Sequence, residues 1–170
     1  MENEFIDISR SFVEKIVQEI PRTHKSCIND KSMPIDSNGD LSKWEYMIES
    51  IGIPSHPRLS SPLNVAVTYS QIWTGLQLHK GALEAVKDRL SSPEVVRDLI
   101  ADMKELLDHI GLALQHHNVS PSPKPEPFTA SQLDDYQVRV LTHVTLVRLL
   151  HFGQEVSRFL RTQVPSDLQE

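Results

Sequence analysis

Cysteine is nearly absent from this chain of 170 residues: Cys27 stands alone, so no intramolecular disulfide can form. A thiol-poor composition points to a reducing compartment. Aromatics make up 6% of the chain and there are only six glycines, with no Gly-rich loop of the kind that cradles phosphate. No run of 18 apolar residues occurs, which excludes a transmembrane helix. Basic clusters are missing as well. Lys and Arg number 17 against 23 Asp and Glu, a formal charge of −6. Nucleic-acid binding, which rests on neutralising phosphates, is not expected. The opening residues, Met1 to Glu4, have neither a basic nor an apolar leader segment. The chain as given is therefore expected to be intracellular, or else a mature form with an added initiator.

Proline is plentiful, and its placement organises the rest. Eleven prolines fall at 21, 34, 54, 57, 62, 93, 121, 123, 125, 127 and 165. Proline removes an N–H and clashes with the preceding turn, so it breaks helix interiors. Four long proline-free gaps remain, at 1–20, 63–92, 94–120 and 128–164. Each carries an apolar rhythm near 3.6 residues. Phe5, Ile8, Phe12, Ile16 and Ile20 mark helix A. Val65, Tyr69, Ile72, Leu76, Leu83, Val86 and Leu90 mark B. Val96, Leu99, Met103, Leu106, Ile110 and Leu114 mark C. Val138, Leu141, Leu149, Phe152, Val156 and Phe159 mark D, with Val140, Val144, Val147 and Leu150 widening its stripe. D is expected to be the most enclosed, and no stretch alternates strictly enough for a strand.

These patterns predict an all-α single domain over 1–170. Helix A spans about 4–27, a short helix about 41–50, B about 63–91, C about 93–117 and D about 130–163, with a linker at 118–128. Ser92 before Pro93 is a capping signal for C. Thr129 or Ser131 is the expected cap of D, with Asp134 and Asp135 in its first turn favouring the positive end of the dipole. Asn118 is the expected stop of C. The B–C connection is too short for anything but antiparallel packing. The long A–B connection and the extended C–D linker, reaching roughly 30 Å at about 3.1 Å per residue, each permit parallel neighbours. An up-up-down-down four-helix bundle follows.

Catalytic signals are weak. Eight histidines are present, but there is no HExxH, CxxC or GxSxG pattern. His116 and His117 fall where a helix C-terminus favours positive charge. His79, His109, His143 and His151 are scattered over three helices with no i,i+4 ligand pair. No metal, no cofactor and no enzymatic activity are expected. Cys27 reads as a half-buried structural thiol.

Two motifs point further. The run Ser50-Ile51-Gly52-Ile53-Pro54, with Pro57 and Leu59-Ser60-Ser61-Pro62, precedes Ser70-Gln71-Ile72-Trp73-Thr74-Gly75-Leu76-Gln77-Leu78-His79-Lys80-Gly81-Ala82-Leu83. Together they resemble the interleukin-6/granulocyte colony-stimulating factor family of long-chain helical cytokines, most closely its granulocyte colony-stimulating factor branch. His79 stands where the family has an aromatic. The likeness is firm over 50–90 and extends through Thr142, His143, Phe152, Gln154, Arg158 and Arg161 in D. The family's cysteines are missing. Those ahead of Gly75 fall on Thr68 and Arg58, and Cys27 faces Met33-Pro34 where its partner is expected. That absence removes about 2–4 kcal/mol per bridge.

The resemblance implies a secreted, monomeric ligand that brings class I cytokine receptor chains together and drives proliferation and differentiation of myeloid cells. An interleukin-6-like cytokine and an intracellular helical adaptor are the alternatives. It implies two receptor-facing surfaces. One comprises Lys15, Gln18, Glu19 and Arg22 on A, spaced to share one side of the helix, with Asp102 and Glu105 on C. The other joins the A–B connection (Lys43, Glu45 and Glu49) to the start of D (Leu133 and Tyr136). Lys43 stands where the family has a key acid, a reversal of charge. Of Trp44 and Tyr46 in the same segment, one is expected to pack on the bundle, and an exposed one suits an interface hot spot.

Overall fold

Each apolar-periodic stretch folds as a helix whose ends are set by identifiable chemistry. The computed structural model describes residues 2–35, 41–54, 59, 64–121, 123 and 128–163. It contains α1 (Glu2–Cys27), α2 (Glu45–Ile51) after a 3₁₀ turn at Ser42–Trp44, α3 (Val65–Val86) followed by a 3₁₀ turn at Lys87–Arg89, α4 (Pro93–His116) and α5 (Asp135–Thr162). Among the described residues there is no strand, in keeping with the expected all-α class. Helices A to D correspond to α1, α3, α4 and α5. The proposed start of B at Leu63, and Pro57, Arg58, Ser60, Ser61, Pro62 and most of the proline-rich C–D linker, lie outside the described residues.

Helix α1 continues through Pro21. The ring withdraws the N–H that would reach Val17, and the next turn is held by the Thr23 hydroxyl donating to the Glu19 carbonyl at 3.0 Å. The side chains of Thr23 and His24 then bury against the bundle. Helix α4 stops as expected. Asn118 adopts a left-handed φ of 56°. The amides of Val119 and Asn118 return to the carbonyls of Leu114 and Gln115 at 2.8 and 3.0 Å, which satisfies the last orphan carbonyls.

The start of α5 differs from the expected one. Neither Thr129 nor Ser131 caps it. Asp134 does, accepting from the Gln137 amide at 2.7 Å while the Gln137 side chain accepts from the Asp134 amide at 2.9 Å. This reciprocal box places the helix start at Asp135 rather than near 130, although Thr129 too has a glutamine three residues on, Gln132.

The core runs the length of the bundle between α1, α3, α4 and α5. Helix α5 is the most enclosed, with every residue from Val140 to Val147 buried. It packs on α1 and α3, and these two also pack on α4. Phe5, near the start of α1, meets His109 late in α4 and Tyr69 early in α3. At the other end, Ser26 accepts from Ser92 just ahead of α4 at 3.3 Å. Tyr69 meets Phe159 near the end of α5, while His24 meets His143 in its first half.

Adjacent residues of α5 set the spacing to both neighbours. Phe152 lies over Gly75 of α3, whose absent Cβ the ring occupies, and a Cβ on Gly153 would come within 2.7 Å of the Val17 side chain on α1. The Gly75-x-x-x-His79 part of the sequence motif is therefore a packing device. The Nδ1 of His79 sits 2.7 Å from the Gly75 carbonyl, and its ring lies against Phe152.

Substituting Gly75 by Ala is expected to destabilise the chain by about 1–3 kcal/mol in urea denaturation, since the Phe152 ring must be displaced. Gly81→Ala, where a Cβ meets nothing within 4 Å, should instead leave stability unchanged or raise it by up to about 1 kcal/mol.

Candidate functional site

The residues expected on the A/C surface divide into two environments. Lys15 reaches across from α1 to Asp102 on α4, Nζ to Oδ1 at 3.1 Å. Asp102 is only 7% exposed, so it is an interhelical contact more than an open face. Glu19 lies beside it, half-buried, and its pKa is raised by burial and by the Asp102 carboxylate, with Lys15 and Arg22 opposing. Lys15 is raised in turn, chiefly by its bond to Asp102. Glu105 and Arg22 are exposed.

Gln18 lies elsewhere. It lines an open groove of about 430 Å³ between α1 and α5, with Glu14, Val17, Gln154, Arg158 and Arg161. The helical spacing that seemed to put four α1 residues on one side thus spans two interhelical seams. Ile8 on α1 and Leu112 on α4 are exposed, and the His109 ring lies against Phe12.

The second group is gathered around the connection after α1. Gly52 ends α2 at φ 76°, in the left-handed region that favours glycine. The amides of Ile53 and Gly52 bond back to the carbonyls of Ile48 and Glu49 at 3.0 and 3.2 Å. This turn sends Ile53 into the core and places the Pro54 carbonyl 3.1 Å from Arg148 Nη1 on α5. The S-x-G-I-P motif is therefore a helix stop followed by two anchors. Met33 is fully buried, so apolar burial fastens the segment there.

The two aromatics of the segment separate. Trp44 is 5% exposed and packs edge-on against His143, while Tyr46 is 80% exposed. Lys43 holds its ammonium 5.0 Å from the Trp44 ring centre. Glu45 and Glu49 are exposed on α2.

An ion pair links the turn after α1 to the start of α5, with Lys43 only a minor influence on Asp30. Asp30 lies 3.5 Å from Arg139 Nη1, and the Arg139 guanidinium lies 5.8 Å from the Tyr136 ring centre. Asp30 is held below the ordinary carboxylate range mainly by its bonds from Ser32. Tyr136 is partly exposed, and Leu133 is half-buried.

Arg89, which the sequence gave no reason to single out, positions this end of the molecule. Its guanidinium donates to the carbonyls of Ala130 and Leu133 at 2.8 and 2.6 Å and pairs with Asp135 at 3.1 Å. A single cation thus satisfies the loop ahead of α5.

Sequence reasoning also missed a pair of histidines. His24 Nε2 and His143 Nδ1 lie 2.9 Å apart. Among the described residues no group of three or more His, Cys, Asp or Glu could hold a metal ion, and no helix is long and apolar enough to cross a membrane. Cys27 is half-buried, its thiol 3.9 Å from the Ser92 carbonyl, and burial with the nearby Glu94 pushes its pKa up to about 11. No family model matches the chain, and no curated protein matches it.

The raised Cys27 pKa predicts roughly a hundredfold less thiolate near pH 8 than an ordinary cysteine has. Its reaction with a disulfide reagent should be correspondingly slow in the native protein and recover in urea. Equal rates in both states would contradict the assignment.

Proposed function

We propose that the chain is a helical cytokine of the interleukin-6/granulocyte colony-stimulating factor family, secreted and monomeric, that brings class I receptor chains together to act on myeloid cells. The observation that carries this reading is the exposed Tyr46 on a short helix whose neighbour Trp44 is anchored on the bundle. In the turn after α1, Asp30 pairs with Arg139, whose guanidinium lies near the Tyr136 ring at the start of α5. An exposed aromatic on a rigid support, rimmed by charge, is the composition of an interface hot spot.

The two-up, two-down order of the long helices belongs to the same proposal. It is supported by which ends meet. The start of α1 lies by the end of α4, and the end of α1 by the start of α4. Tyr69 of α3 lies by Phe159 late in α5, and His24 of α1 by His143 early in α5. A ligand of this kind needs no reactive group. It works by presenting two faces at a fixed angle.

On this reading Glu105, with Arg22 and the outer edge of Glu19, carries the first receptor surface. Asp102 acts from beneath by holding Lys15 in place. Reversal of Asp102 would bury a cation against Lys15 and unfold the site, so the receptor test uses Glu105. The second surface uses Tyr46, Lys43, Glu45, Glu49, Tyr136 and Leu133.

Titration against immobilised ectodomains of the granulocyte colony-stimulating factor receptor and of the shared interleukin-6 signalling receptor separates the two branches of the family. Tyr46→Ala should weaken binding by about tenfold or more with unchanged helicity. Glu105→Lys should slow association most at low salt. Absence of binding to either receptor rejects the reading.

A further inference from the structure

We propose that the His24–His143 pair is an acid-sensitive latch beneath Trp44, holding the short-helix connection against α5 near neutral pH and releasing it near pH 5. Its consequence for receptor engagement rests on the function proposed above; the latch itself does not.

The geometry is that of a closed seat. His24 on the last turns of α1 is 4% exposed and His143 on α5 is 2% exposed. The rings meet edge to face with centres 5.1 Å apart, and Trp44 closes over His143 at 5.8 Å. The hydrogen bond between Nε2 and Nδ1 requires one ring nitrogen to donate and the other to accept. One proton added to the pair leaves the bond in place but sets an unshared charge in an apolar seat. A second proton makes both facing nitrogens donors, and the bond is lost.

The surrounding charges do not relieve this. Asp30, in the turn after α1, favours protonation of His143, but it is already engaged by Ser32 and Arg139. Lys43, beside Trp44, opposes protonation. Burial, and His143 itself, pull His24 down to about 4, and burial lowers His143 too.

The sign follows from linkage. Both rings titrate lower in the closed state than in an open one, where an ordinary imidazole has a pKa of about 6.5. The open state therefore gains protons as pH falls below about 6.5, and the closed state loses ground until its own rings titrate. For each ring held neutral, the opening equilibrium rises about tenfold between pH 7.5 and 5.5. The cheapest opening moves the segment that covers the pair. That segment is a 3₁₀ turn and a helix of seven residues, short enough to be marginal without its tertiary contacts. It carries Lys43, Glu45, Tyr46 and Glu49.

Hydrogen exchange on the isolated chain tests the latch. Protection across 42–51, corrected for intrinsic exchange, should fall about tenfold or more from pH 7.5 to 5.5. Protection of α3 should hold, and the Trp44 indole resonance should shift. In His24→Gln/His143→Gln, whose amides can bond without titrating, the fall should vanish. If that double variant does not fold, His143→Gln alone should shrink it. Unchanged protection at 42–51, an equal loss in every helix, or the same fall in the variants overturns the proposal. So does a His143 ring that titrates with Trp44 still seated. Receptor binding at the two pH values reads the consequence. Acid weakening that disappears in the variant supports it. An open latch with unaltered affinity rejects the coupling to the receptor surface, and no binding at either pH rejects the functional reading instead.

Discussion

The constraint on which this molecule depends is the close approach of α5 to the two helices beside it. Phe152 fills the place of a side chain on Gly75, and Gly153 leaves room for Val17. Two consecutive residues, one of the largest and the smallest, thus fix the distance from the central helix to α3 and to α1. Interiors packed at crystal-like density transmit such distances faithfully. The position of α5 in turn decides where Trp44, His143 and Arg148 hold the connection, and hence where Tyr46 and the acids of α2 are presented.

Much of this was legible from residue order. Apolar periodicity located the four long helices because each must bury a stripe. Asn118 announced the end of α4 because a short polar side chain tolerates the left-handed turn. The start of α5 was misplaced by several residues: Thr129 and Ser131 have the right chemistry for a cap, and Thr129 has Gln132 at the reciprocal position, yet the box forms between Asp134 and Gln137. Helix α1 runs past Pro21, where the cost of a lost hydrogen bond is offset by the Thr23 hydroxyl and by the burial of His24.

The candidate surfaces were legible as segments and not as environments. Helical spacing places Lys15, Gln18, Glu19 and Arg22 within one arc, but whether that arc spans one seam or two depends on where α4 and α5 lie. Asp102 is buried although charged, and its partner Lys15 lies 87 positions away in sequence. His24 and His143 are 119 positions apart, so no local pattern could join them. Arg89 was invisible for a related reason: Ala130 and Leu133 belong to a loop whose path periodicity does not describe, and Asp135 opens the helix after it.

Met33 and Cys27 together carry a wider implication. A buried thioether fastens the connection, and burial pushes the pKa of the one thiol up. Nothing in the chain's assembly then waits on an oxidant or on reshuffling of bonds. With a single thiol, the chain has no internal bridge whose formation or pairing its folding must await.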